Sequence, residues 1–286
     1  MIKSIKPRVW AFDLEWVPDP LAGRLVHRLT DDLTDLEVLH EMWRRGGATE
    51  DDPQPFLKTS LCRIVSVAAV ERRERPDGAA TVHLMSLPRN PDDELERLES
   101  HVVGTFLEAL SSRQPQIVGF NSSGSDVPIL LQRGLMLGLS APGFCSRPDK
   151  PWEGIDYFAR SSDWHVDLKD AVGSWGMAAP SLHELAVQSG IPGKMDVDGQ
   201  AVANLWLADD LRKIIAYNEF DALTTYLVWL RLVHLAGLID GGAYEREQQS
   251  VTDLIQQEIG AGKIHLQSYL EEWNRLRSII ADNRSI

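Results

Sequence analysis

FDLEW, residues 12–16, sets two carboxylates inside an otherwise apolar run, VWAFDLEW. β-Branched and aromatic residues mark that run, residues 9–16, as a strand. Side chains alternate faces along a strand, so Asp13 and Glu15 share one face and Leu14 takes the other. Two like charges at that spacing repel. They coexist if one is protonated, if water surrounds them, or if a cation lies between them. The polar face of an edge strand would show the same pattern. The pair by itself leaves both readings open, and acids elsewhere in the chain must decide.

The chain of 286 residues is long enough for one large domain or two small ones. Its 25% charged and 43% hydrophobic residues fit a globular protein with a proper core. A net charge of −13 argues against a broad basic surface for gripping long nucleic acid, though not against a local basic groove. The two cysteines, Cys62 and Cys145, form no metal-ligand pattern and no disulfide framework, which fits a reducing cytoplasm. The start, MIKSIKPRVW, is basic without the apolar run of a signal peptide. No uncharged window reaches membrane-spanning length, so no membrane is expected as a partner.

The first strand ends at a breaker stretch, VPDPLAG, followed by a helical pattern over 29–45 and a loop, GGATEDDPQP. Residues 18–60 thus read as an insertion between two strands. CRIVSVAAVERR and TVHLMSL read as two strands joined by a turn at RPDG. The spacing of Leu95, Leu98, Val102, Phe106 and Leu110 predicts a helix over 92–111. A short strand QIVGFN, a helix DVPILLQRGLMLG, a loop over 140–162 and a strand WHVDL follow. Helices dominate the rest: SLHELAVQSG, 200–208, 209–236 and two more. Strands first, with helices interleaved and then dominant, predict an α/β fold around one mixed sheet.

Two further acids stand in telling places. In GFNSSGSDVPIL, residues 119–130, Asp126 falls where a strand passes through a turn into a helix. A helix cap explains that position, and so does a site at the end of a sheet. In YNEFD, Tyr217 and Asp221 are four apart inside the long helix and share a face with Ile214, Thr225, Val228 and Leu232. An acid on a core-facing stripe, with no basic residue one turn away, needs a positive partner from elsewhere.

These motifs, DxE, then N-x4-D, then YxxxD, resemble in order the tyrosine subgroup of DEDD-type 3′–5′ exonucleases. The resemblance is strongest to stand-alone predicted exonucleases related to the proofreading domain of family-B DNA polymerases. It extends to HVDLKD (165–170), SLHELAVQSGIPGKMDVDGQAV (181–202) and YNEFDALTTYLVWLR (217–231), and covers about residues 8–235. The resemblance implies an RNase H-like fold with a mixed sheet flanked by helices. It implies an exonuclease domain over 1–240. Outside the resemblance, residues 241–286 read as a C-terminal helical extension. That extension packs on the domain or on another subunit or partner protein.

The resemblance also implies two divalent cations, Mg²⁺ or Mn²⁺, held by Asp13, Glu15, Asp126 and Asp221. Asp13 would bridge them, Glu15 and Asp221 would serve the one that holds water, and Asp126 the other. Tyr217 would orient the attacking water; a phenol, with a pKa of about 10, is not a simple general base. Asn121 would support substrate or metal geometry, and Leu14 and Trp16 would contact the terminal base. Trp16 and Ser125 depart from the family's pattern, where a small hydroxyl residue and an aromatic are usual. Lys194 is a candidate for a phosphate, while His165 and Asp167 read as structural. The substrate implied is the 3′ end of single-stranded nucleic acid, DNA before RNA, with nucleoside 5′-monophosphates as products. An exoribonuclease and a non-catalytic nucleic-acid-binding scaffold are the alternatives.

Overall fold

A strand rich in Val, Trp and Phe can be buried on both faces, and β1 (Arg8–Pro18) is placed accordingly. The computed structural model describes residues 2–173, 179–195 and 201–284. In it β1 pairs antiparallel with β2 (Cys62–Glu74) and parallel with β4 (Gln116–Gly119). β3 (Ala80–Leu87) joins β2 antiparallel, and β5 (His165–Asp167) joins β4 parallel. The order β3-β2-β1-β4-β5, with β2 alone running against the rest, is the RNase H-like α/β sheet. β1 is its central strand. The edge-strand explanation of Asp13 and Glu15 therefore fails.

The two faces of β1 meet different helices. Trp10, Phe12 and Leu14 pack with Val102, Phe106 and Leu110 of α3 (Glu99–Arg113) and Ile129 and Leu130 of α4 (Asp126–Met136). Val9 and Ala11 face the cluster built by α9 (Leu211–Leu235). Every residue of α9 from Tyr217 to Leu230 is buried. A helix covered all round needs layers on every side. The sheet supplies one, and α10 (Gly241–Gly260) and α11 (Leu266–Arg284) supply another through Val251, Ile255, Tyr269 and Trp273. A buried fork of Arg72 on Glu247, with Tyr226 donating to the same carboxylate, ties α10 to β2 and α9.

Several elements differ from their sequence expectation for local reasons. The breaker stretch does not only end β1. Pro20 sits in the first turn of α1 (Pro20–His27), and Asp19 accepts from Leu21 N–H. α2 (Asp35–Gly46) starts at a capping box of Thr34 and Glu37 and ends at Gly47, whose φ of 97° suits glycine. α3 starts at Glu99 rather than at 92. Asp93 accepts the amides of Leu95 and Glu96 in a turn that competes with the helix, leaving Leu95 and Leu98 exposed. The stretch read as loop over 140–162 contains a one-turn helix, α5 (Pro142–Cys145). α6 (Leu168–Gly173), α7 (Leu182–Gln188) and α8 (Ala201–Leu207) complete the molecule.

A second buried charge cluster fixes α4. Arg133 donates to Asp19 at the α1 cap and to Glu99 at the start of α3, and Glu99 also accepts from Ile64 N–H of β2. Removing the guanidinium would strand two buried carboxylates. Arg133→Ala should destabilise the protein by about 3–5 kcal/mol in urea unfolding.

Candidate functional site

The face of β1 that packs on α9 changes character at its C-terminal end, where Asp13 and Glu15 follow Val9 and Ala11. α9 meets them there with Tyr217 and Asp221. One carboxylate oxygen each from Asp13, Glu15 and Asp221 lies within 4.8 Å of the others. Glu15 and Asp221 are each only 8% exposed, and Asp13 is half-buried. The β1–β2 register shifts between Glu15 and Trp16, so that Glu15 opposes Ser66 while Trp16 opposes Ile64. A bulge beside a site re-aims the strand locally.

Asp126 is the fourth acid; it falls outside the 4.8 Å grouping, yet among the neighbouring charges it acts most strongly on Asp13. One of its oxygens accepts from Leu14 N–H at 3.2 Å and the other from the Ser125 hydroxyl at 2.8 Å. It is therefore no simple helix cap, because it reaches across to the backbone of β1. Its charge still bears on Asp13 and Glu15.

The loop that carries Asp126 is held by Asp167, at the end of β5. Asp167 accepts the amides of Asn121, Ser123 and Lys169 at 2.9, 2.9 and 3.0 Å. Asn121 takes a left-handed φ of 62°, which Asn tolerates, and its side chain accepts from Lys169 Nζ at 3.2 Å. His165 joins the Ser122 hydroxyl to the Tyr157 carbonyl. Asp167 is thus the organiser of this end of the sheet; its place in the strand HVDL and its reading as structural were the signals of it in the sequence.

A cleft of about 570 Å³ opens onto the trio, and Trp16, Asn121, Lys169, Lys194 and Tyr217 share its lining. Leu14 reaches the cleft wall but is only 2% exposed and packs with Phe12 and α4. Strand alternation turns most of its side chain into the core, away from Asp13 and Glu15. Trp16, half-buried, keeps a cleft position. Lys194 is the cation whose field reaches Asp13, Glu15 and Asp221. The rest of its motif, residues 196–200, lies outside the described residues.

The four acids carry charge poorly here. Burial raises the Asp13 carboxyl well above its usual range, and Asp126, Glu15 and Asp221 add to the rise. Burial does the same to Glu15, followed by Asp221 and Asp126, and a hydrogen bond links Glu15 to Asp13. Burial lifts Asp126 and Asp221 to about 6 each. Tyr217 hydrogen-bonds Asp221. Burial, then the charges of Asp221, Glu15 and Asp13, push its phenol far up, so it remains a donor.

All-oxygen anionic donors packed this closely fit hard divalent cations. Without cations the raised values cost stability. Between the unfolded and folded pKa of Asp221 the native state binds more protons, so stability falls as pH rises through that window. In EDTA, Asp221→Asn should stabilise the protein by about 1–3 kcal/mol at pH near 7. The gain should shrink toward zero as the pH falls from about 6 to about 4, read by urea unfolding across pH.

Among curated proteins none matches the chain. Among solved structures, the family B DNA polymerase from the hyperthermophilic archaeon Pyrobaculum calidifontis is similar over 80% of this chain, at 18% identity and a TM-score of 0.47. The likeness spans 24% of the polymerase chain. A family model described as a predicted 3′–5′ exonuclease related to the exonuclease domain of PolB matches residues 54–273. The matched span takes in α10 and part of α11, which the resemblance read from the motifs left outside, and begins after β1. With well over half its length matched, the chain belongs to the family of predicted 3′–5′ exonucleases related to the exonuclease domain of PolB.

Proposed function

We propose that the protein hydrolyses phosphodiester bonds from the 3′ end of single-stranded nucleic acid, with metal ions as cofactors, and releases nucleoside 5′-monophosphates. The observation that carries this reading is the meeting of Asp13, Glu15 and Asp221 within 4.8 Å at the wall of an open cleft. DNA is the preferred substrate on the family's relation to a polymerase exonuclease domain. The exonuclease domain spans 1–240, with 18–60 inserted and 241–286 as an extension. Its free cysteines, Cys62 and Cys145, suit a reducing cytoplasm.

Asp13, Glu15, Asp126 and Asp221 would hold two divalent cations, Mg²⁺ or Mn²⁺. Bound there, such cations supply Lewis-acid stabilisation of phosphoryl charge and acidify water. The chain's own groups do the positioning. Tyr217, kept protonated, donates a hydrogen bond; its partner is Asp221 here, and an attacking water oxygen is the partner it would take during reaction. Lys194 offers positive charge to a substrate phosphate. Asn121, locked between Asp167 and Lys169, holds the shape of the cleft at the sheet's end. Trp16 offers its ring to the terminal nucleotide.

A non-catalytic scaffold on the same fold gives no reason for three clustered acids, two of them buried, that form no ion pair among the described residues. The test uses 5′-labelled DNA and RNA strands of one sequence, incubated with Mg²⁺ or Mn²⁺. The wild type should yield a ladder shortening from the 3′ end, faster on DNA, and EDTA or Asp13→Ala should abolish it. Tyr217→Phe should slow cleavage by at least about tenfold while leaving Mn²⁺ binding by calorimetry in place. Strands that stay intact with folded wild-type protein would sink the reading.

A further inference from the structure

Residues 54–57 form part of the wall of the same cleft, just before the 3-10 turn Thr59–Leu61 that leads into β2. This segment is pinned on both sides of Phe56. The Gln54 side-chain amide donates to Asn204 Oδ1 of α8 at 3.2 Å. Leu57 turns inward onto the α2 cluster of Val38, Leu39, Met42 and Trp43. It lies so close to Gly46 that a Cβ there would meet Leu57 Cδ2 at 2.6 Å. The Thr59 hydroxyl donates to Gln132 Oε1 of α4 at 2.8 Å. Phe56, between these anchors, faces the cleft. It is 73% exposed and belongs to none of the apolar clusters.

We infer that Phe56 is a stacking platform for a nucleobase of the substrate strand, a few nucleotides from the 3′ end, and that it selects single strands. The inference rests on the exonuclease reading above. A strand whose terminal phosphodiester lies at Asp13, Glu15 and Asp221 occupies the cleft that Phe56 lines. Lys169 and Lys194 line it too and provide cations for phosphates. The net charge of −13 weakens general attraction for a polyanion, which leaves more of the grip to local contacts. An aromatic ring meets that need, because every base offers a π-face whatever its identity. In a duplex those faces are already stacked on neighbouring base pairs. The backbone around Phe56 is anchored before substrate arrives, so little ordering is spent on binding.

The test is fluorescence anisotropy with a 5′-fluorescein-labelled oligothymidylate, using Ca²⁺ in place of the active ion to prevent cleavage. A second set of strands carries one abasic site, moved along the 3′ end. Phe56→Ala should weaken binding roughly 5- to 100-fold, and Phe56→Trp should retain it. The wild type should be sensitive to the abasic site at one position, and Phe56→Ala should lose that sensitivity, which a merely structural role would not change. If the wild type binds and cleaves while Phe56→Ala binds equally well with the same abasic profile, the platform is wrong and the exonuclease reading stands. If the wild type neither binds nor cleaves any strand, both fall.

Discussion

The contact between β1 and α9 governs this molecule. It is a core contact along most of its length, with Val9 and Ala11 against the cluster that the buried Tyr217–Leu230 stretch of α9 builds. At its end it becomes an electrostatic liability, where Asp13, Glu15 and Asp221 converge. Burial in itself disfavours their charge, and their mutual repulsion adds to it. A fold carries such a cost where the groups have a task that repays it. The rest of the structure holds the two elements in that position. β2 and β4 flank β1, and α10 and α11 close over α9.

Glu219 shows how differently the same helix treats a structural acid. It stands two residues before Asp221 and is fully buried. Burial opposes its charge, yet His265, Lys263 and Ser86 outweigh that and hold the carboxyl below its usual range. Its donors come from β3 and from the connection between α10 and α11, so the charge fastens the C-terminal helices to the helix that bears Asp221. Asp221 has a tyrosine hydroxyl and only the more distant field of Lys194. Two residues apart on one helix, one acid is held below its usual range by the fold, and the other is lifted to about 6 by burial.

Loops are organised by the same economy of charge. Asp167 gathers the amides of the β4–α4 loop and thereby sets Asn121 and the start of α4. Arg133 gathers Asp19 and Glu99 and sets α4 against α1 and α3. Asp126 lies between these two anchors. Its oxygens accept from Leu14 and Ser125, and its charge raises the carboxyls of Asp13 and Glu15.

The first strand, the long apolar helix and the acids at DxE and YxxxD were legible in the sequence, because strand alternation and helical periodicity are local and fix which side chains share a face. Starts of helices were less legible. At Asp93 and at Asp19–Pro20, a side-chain cap or turn decided between helix and loop. Tertiary structure alone distinguished Glu219 from Asp221, since their donors lie on elements distant in sequence. It alone chose the loop amides that Asp167 gathers and carried Asp126 across to the backbone of β1. It also brought Phe56 to the cleft. Sequence spacing determines which way a side chain faces on its own element, and the partners that neutralise, bury or expose it are chosen by packing between elements.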